Sequence, residues 1–133
     1  MRKLGSLIVL GVLITLISGC GENNREKAIA YLLGTPRESD EISIVVFNDQ
    51  KLEDSFVRDL QTNIDYINNH IRIKDPIMNV NLINVKEYNP YKYENIFDLK
   101  TYPSIILFQN EELLAQFHEP KEILEYVQNE KDK

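Results

Sequence analysis

The sequence predicts an α/β fold in which a central mixed sheet of about four strands is flanked by helices. Three segments carry this prediction. A run of β-branched and aromatic residues at 42–47 is typical of a buried strand. From Leu52 to Ile71, apolar residues recur at steps of three and four, which is typical of an amphipathic helix. The segment 104–117 holds two more apolar strands separated by a polar turn.

The remaining elements complete the predicted order. A short helix is expected at 25–33, because Gly34 stands where a helix commonly ends. Alternation of apolar residues over 78–85 predicts a further strand, and 94–100 predicts a short helix. Pro120 stands where the last helix can begin. After the N-terminal helix the order is therefore β-α-β-α-β-β-α, which favours helices packed on a sheet.

Composition narrows the classes of partner. The chain has 133 residues, 43% of them hydrophobic, which is enough for a packed core. Its formal net charge is -6, and it becomes -8 once a leader containing Arg2 and Lys3 is removed. That acidity argues against a nucleic-acid partner and against docking on anionic lipid through a basic patch. We expect a monomer with no nucleic-acid partner.

The first 19 residues have the features of an export signal. A short basic start is followed by an apolar stretch from Leu4 to Ile17, and then by the small residues Ser18 and Gly19. The apolar stretch is short for a transmembrane helix, which needs roughly 20 residues. The sequence therefore predicts export of the chain, with residues 1–19 removed.

The end of this leader, Ile17-Ser18-Gly19-Cys20, resembles the lipobox of bacterial lipoproteins. The resemblance implies cleavage before Cys20, a diacylglyceryl group on its thiol, and an extracytoplasmic protein that is lipid-anchored to the bacterial cell membrane. Gly21 follows where an aspartate would signal inner-membrane retention in two-membrane bacteria. Two alternatives stay open, an ordinary cleaved signal and an N-terminal membrane anchor with an incidental cysteine.

The C-terminal half resembles the thioredoxins. The resemblance is carried by Asn89-Pro90, by 96–99, and above all by Tyr102-Pro103 preceding the apolar run 104–108. It covers about residues 40–129 and implies a cis peptide bond before Pro103. Together with the leader, it divides the chain into a signal peptide (1–19), a lipidated cysteine with tether and short helix (20–40), and a thioredoxin-like domain (41–133).

The chain departs from the thioredoxins at their reactive groups. The resemblance places Leu52-Glu53-Asp54-Ser55 where that family has Cys-x-x-Cys, and Val46 where it has a buried aspartate. Cys20 is the only cysteine in the sequence and is expected to be consumed as a thioether. Because disulfide exchange requires a thiolate, we predict that the domain does not catalyse it.

Other catalytic groups have weak support in the sequence. Ser55 has no histidine near it in sequence to act as its base. Acidic residues are favoured at a helix N-terminus, and this preference explains Glu53 and Asp54 more simply than an acid/base pair does. His70 and His118 lack the spacing of a metal site. We therefore predict no catalytic residue, no metal and no cofactor.

Tyrosines surround the proline that carries the resemblance. Tyr88, Tyr91 and Tyr102 flank Pro103 in sequence, and thioredoxin-like proteins bind extended peptides against this proline loop. Tyrosine suits a binding surface because it has an apolar body and a polar tip. The four residues are therefore a candidate peptide-binding groove. Packing of the tyrosines on the edge of their own domain is an equally open interpretation.

These expectations combine into one function and two alternatives. The first is a non-catalytic thioredoxin-like lipoprotein that acts as a binding or scaffolding module for an envelope protein or peptide. The second is a small lipoprotein associated with the cell wall, that is, with peptidoglycan. The third is an enzyme that uses non-thiol residues of the same cleft.

Overall fold

The computed structural model describes residues 24–34 and 41–133. The predicted signal peptide (1–19) and Cys20 lie outside the described residues. Among the helices of the part that is described, none is long and apolar enough to cross a membrane.

The described elements follow the predicted order. They are α1 (24–33), β1 (Ile42–Asn48), α2 (Asp54–Tyr66), β2 (Asn79–Asn84), α3 (Tyr93–Ile96), β3 (Ser104–Gln109), β4 (Glu112–Phe117) and α4 (Pro120–Lys131). The helix expected up to residue 71 ends as α2 and continues as one π-helical turn, Ile67–Ile71. The helix expected at 94–100 is shorter, because Asp98 has a φ of 51°, which an α-helix does not allow.

The strands form one mixed sheet in the order β2-β1-β3-β4. β1 and β2 are parallel and are connected through α2, whereas β3 is antiparallel to both β1 and β4. The predicted four-stranded mixed sheet with flanking helices is therefore confirmed.

β1 is buried along its whole length because helices cover both faces of the sheet. Alternate side chains of β1 consequently enter two separate cores. Ile44 and Val46 face α2 and α4, where they join Leu60, Ile64, Ile123 and Val127. Val45 and Phe47 face α1 and α3, where they join Ala28, Ile29, Leu32, Tyr93 and Phe97. The continuous apolar run that predicted this strand reflects burial on two sides.

Two asparagines of β2 hold the C-terminal end of α1 to the sheet. The side-chain amide of Asn81 donates to the Leu32 carbonyl at 2.8 Å, and that of Asn79 donates to the Leu33 carbonyl at 3.4 Å. Gly34 closes the helix with a φ of 71° and an N–H bond to the Ala30 carbonyl at 3.0 Å. Carbonyls that the helix cannot satisfy internally thus find their donors on β2.

The side of β2 that carries Val80 and Leu82 is exposed, whereas the side that carries its first two asparagines and Ile83 is partly covered. Met78, Val80 and Leu82 are 71%, 36% and 51% exposed, respectively. The buried core on their face of the sheet is built from β1, β3, α2 and α4 with Ile67 and Ile77, and it contains no residue of β2. The asparagines on the opposite face are partly buried by α1. Period-two alternation identified the strand, but the packing of the helices decided which side was buried.

A two-residue turn joins β3 to β4 without a glycine. Asn110 and Glu111 both have positive φ, 52° and 63°, as in a type I′ turn. The left-handed conformation costs a non-glycine residue about 1–2 kcal/mol. Asparagine tolerates this conformation, whereas glutamate has no side-chain group that compensates for it locally.

We therefore expect Glu111→Gly to raise the free energy of unfolding by about 1 kcal/mol. The matched control is Glu112→Gly, which replaces the neighbouring exposed glutamate at the start of β4 and should lower the free energy of unfolding by about 0.5–1 kcal/mol. Urea denaturation of both variants measures the two changes. If both glycine variants are less stable than the native chain, the inference that Glu111 is strained in this turn is wrong.

A reciprocal cap begins α4. Pro120 occupies the first turn, and Glu119 and Glu122 each accept the other's backbone N–H. The Glu122 carboxylate also accepts the His118 N–H at 2.9 Å. These bonds to His118 and Glu119 hold the pKa of Glu122 below its usual value. The cap thereby fixes His118 between β4 and α4.

Candidate functional site

The candidate site lies where β1 ends and β3 begins. Because these strands are antiparallel, with Phe47 opposite Ser104, the residues after β1 lie beside the residues before β3. The peptide bond between Tyr102 and Pro103 is cis, as the resemblance to thioredoxins implied. The predicted proline loop and the segment leading into α2 are thus neighbours in space.

A cleft separates these two segments. It encloses about 280 Å³ and is lined by residues 48–53, Phe56, Tyr102 and Pro103. Drug-sized ligands usually occupy pockets of roughly 300–1,000 Å³, so this cleft suits a single side chain or a short stretch of peptide.

The proline-loop wall is fixed by hydrogen bonds. The buried Ser104 hydroxyl donates to the Thr101 carbonyl at 2.7 Å. His118 Nδ1 lies 3.1 Å from the Pro103 carbonyl and 3.3 Å from the Thr101 hydroxyl. A carbonyl oxygen only accepts, so the Nδ1 of His118 carries the proton in this bond. His118 thus braces the loop through backbone and hydroxyl groups.

The opposite wall is the segment between β1 and α2. Asn48, which is almost fully buried, donates from its side-chain amide to the Gln50 carbonyl. Leu52, just before α2, and Phe56, in its first turn, both line the cleft. Leu52 stands where the resemblance to thioredoxins places the first cysteine.

Two of the four predicted groove residues meet in this cleft. Tyr102 and Pro103 line it, whereas Tyr91 packs its ring 5.8 Å from that of Tyr31 on α1. Tyr88 is 95% exposed and is not among the residues lining the cleft. The sequence placed three tyrosines near Pro103, and the fold directs one of them into the cleft.

Seven lining residues were not named as groove residues from the sequence, namely residues 48–53 and Phe56. Phe56 had a usable signal, because it lies four residues after Leu52 on the apolar face of the predicted helix. Ser55 does not line the cleft but lines an adjacent cavity between α2 and α4, of about 550 Å³, with Glu119.

Charges give the cleft an acidic character. Asp49 and Glu53 line it against the single cation Lys51. Burial, followed by the charges of Glu94 and Asp49, raises the pKa of Tyr102 above its ordinary value. The phenol of Tyr102 therefore keeps its proton at neutral pH and can donate a hydrogen bond to a ligand.

Tyr93 belongs to the core and not to the cleft. It is 1% exposed, and its ring lies 5.4 Å from that of Phe47. Burial, with smaller contributions from Tyr31 and Tyr91, raises the pKa of Tyr93 to about 12. This tyrosine therefore acts as a large apolar group at physiological pH.

The cleft offers hydrogen-bond donors, acceptors and apolar surface. Its lining contains amide, carboxylate, ammonium and phenol groups beside Leu52, Phe56 and Pro103, and neither histidine is among them. Within residues 24–34 and 41–133, no group of three or more His, Cys, Asp or Glu side chains is placed to hold a metal ion.

The sheet, the helix that follows its first strand and the cis-proline loop define a protein of the thioredoxin-like fold. No family model matches the chain, and no curated protein matches it. Thioredoxin f2 from Chlamydomonas reinhardtii is similar in structure, with a TM-score of 0.51 and 12% identity over 80% of this chain and 92% of that one. Human ERp44 is similar with a TM-score of 0.52 and 12% identity over 80% of this chain. The match spans 31% of the ERp44 chain. At these identities the similarity shows the fold.

Proposed function

We propose that this protein is a lipid-anchored extracytoplasmic lipoprotein whose thioredoxin-like domain binds an envelope protein or peptide without catalysis. The observation that carries the proposal is the cleft beside Pro103. It has a braced proline loop as one wall and Leu52 and Phe56 in the opposite wall, and Leu52 occupies the position expected of a reactive cysteine. Such a site can hold a peptide but has no thiol with which to exchange a disulfide.

The cleft supports a peptide as the ligand. Leu52, Phe56 and Pro103 provide apolar contact for one side chain, and Tyr102 provides both a ring face and a donor. The cleft has two carboxylates, Asp49 and Glu53, against one ammonium, Lys51. A neutral or basic peptide is therefore favoured over an acidic one.

The lipobox-like segment ending in Cys20 supports membrane attachment. An anchor confines the domain to the membrane surface and raises the local concentration of any partner in that membrane. A cleft with low affinity can then keep its partner bound, because a partner that dissociates stays close by at the membrane surface and binds again.

Site-specific crosslinking tests the cleft. A photoreactive residue at Lys51, which is exposed and lines the cleft, should capture a defined envelope protein or peptide in cells. Tyr102→Ala should reduce capture about tenfold or more, because an anchoring tyrosine contributes well over 1 kcal/mol. Tyr88→Ala is the matched control and should leave capture unchanged, since Tyr88 does not line the cleft.

A second photoreactive residue at Asp65, on the exposed side of α2, measures non-specific capture. Equal capture by photoreactive residues at Lys51 and Asp65, or capture that Tyr102→Ala does not reduce, would contradict the proposal. Capture of peptidoglycan fragments in place of a protein or peptide would favour the cell-wall alternative. A captured molecule that is chemically converted would favour an enzyme.

A further inference from the structure

The cleft beside Pro103 and the cavity between α2 and α4 share a wall. Glu53 and Phe56 line both of them. The cavity encloses about 550 Å³, compared with about 280 Å³ for the cleft. The two spaces are therefore adjoining parts of one surface, and a peptide held in the cleft can extend past Phe56 into the cavity.

One side of α2 forms the long wall of this cavity. Ser55, Asp59 and Thr62 follow one another at steps of four and three, so they lie on the same side of the helix. The Thr62 hydroxyl donates to the Arg58 carbonyl at 2.9 Å. Among the α2 residues that line the cavity, only Asp59 carries a charge.

The opposite wall, at the start of α4, holds charges that bind one another. The Lys121 ammonium lies 3.2 Å from the Glu119 carboxylate, which also accepts the backbone N–H of Glu122. The hydrogen bond to Glu119, followed by the charge of Glu119, raises the pKa of Lys121 above its ordinary value. The ammonium of this wall is thus already paired within the wall.

Two carboxylates that line the cavity have no such partner. Glu53 stands at the N-cap of α2, but its side chain makes no capping hydrogen bond to the helix. Within residues 24–34 and 41–133, neither Glu53 nor Asp59 forms an ion pair. In the same part of the chain, no three such side chains are placed to hold a metal ion. The excess negative charge of the cavity therefore suits an organic cation.

We infer that the cavity between α2 and α4 is a second subsite, which receives an arginine or lysine side chain of the peptide held beside Pro103. The inference rests on the proposed function, because the cleft must hold a peptide, and it adds the chemical class of a second residue of that peptide. Guanidinium and ammonium groups only donate hydrogen bonds, whereas the ionised Glu53 and Asp59 only accept them. Phe56, between the two spaces, offers apolar contact to the aliphatic part of such a side chain.

Synthetic peptides test the second subsite. Each is a glycine chain with a photoreactive leucine and, one to four glycines away on either side, an arginine. Matched peptides carry glutamine in place of the arginine. Membranes that contain the full-length protein are illuminated with each peptide at increasing concentration, and the half-saturating concentration for capture is measured. We expect an arginine peptide of at least one spacing to need about threefold to fivefold less than its glutamine match, the size of effect that exposed ion pairs produce.

Asp59→Asn and Asp65→Asn are the matched variants. Each removes one carboxylate from an exposed position of α2, but Asp65 does not line the cavity and lies about 9 Å further along the helix axis. Asp59→Asn should reduce the advantage of arginine to below about twofold, whereas Asp65→Asn should leave it unchanged. Capture of the glutamine peptides should be equal in both variants, because neither residue lines the cleft.

Tyr102→Ala separates failure of the second subsite from failure of the proposed function. If Tyr102→Ala reduces capture of the glutamine peptides but arginine has no advantage at any spacing, the cleft binds peptide and the second subsite is wrong. An advantage that survives Asp59→Asn, or that Asp65→Asn reduces equally, also overturns the second subsite. If no peptide is captured, or Tyr102→Ala changes the capture of none, the proposed function fails and the second subsite fails with it.

Discussion

Replacing Phe47 with alanine should lower the free energy of unfolding by about 3–5 kcal/mol. The Phe47 side chain is fully buried, and its ring lies 5.4 Å from that of Tyr93 and 5.6 Å from that of Phe97. Phe47 also belongs to β1, which pairs on both sides within the sheet. The surrounding strands cannot easily collapse into the cavity. Since a domain has about 5–15 kcal/mol in total, this substitution removes a large share of its stability.

The matched control for this substitution is Tyr88→Ala. Tyr88 is also aromatic but is 95% exposed, so the change should stay within about 0.5 kcal/mol. Urea denaturation followed by circular dichroism measures both variants. A loss below about 1 kcal/mol for Phe47→Ala would show that the α1 face of the sheet is not a packed core.

The second large effect concerns Cys20. We expect Cys20→Ala either to leave the chain unprocessed, with its leader attached, or to move the protein out of the membrane fraction. Without the thiol, no diacylglyceryl group can be attached. Each buried methylene contributes about 0.8 kcal/mol, and two chains anchor stably where one does not. Mass spectrometry of the N-terminus and membrane fractionation measure the two outcomes.

Ser18→Ala is the control for the Cys20 substitution. It retains a small residue before the cleavage site, so processing and membrane retention should continue. Cys20→Ala changes processing and membrane anchoring, whereas Phe47→Ala changes the stability of the folded domain. Normal processing and normal retention of the Cys20→Ala chain would show that the lipobox interpretation is wrong, without affecting the thioredoxin-like fold.

The sequence determined those elements whose signals are local. The run 42–47 predicts β1 because burial on both faces selects apolar residues at every position. The steps of three and four after Leu52 predict α2 because helix periodicity is set by the backbone itself. The sequence Tyr102-Pro103 identified the cis peptide bond through resemblance to the thioredoxins.

The tertiary structure decided what depends on pairing between distant segments. β2 was identifiable as a strand, but the exposure of Val80 and Leu82 follows from helices that lie over its neighbours. Tyr88 and Tyr102 look equivalent in sequence, and only the junction of β1 with β3 places one of them in the cleft.

The physical reason is the same in each case. A backbone and its own side chains establish a helix or a strand within a few residues. Whether a side chain is covered depends on elements far away in sequence, such as α1, whose Leu32 carbonyl is bound by Asn81 on β2. The sequence alone thus determined the fold class, and it predicts a lipobox-like leader and a proline loop without a reactive cysteine. The tertiary structure decided which surfaces remain available to a partner.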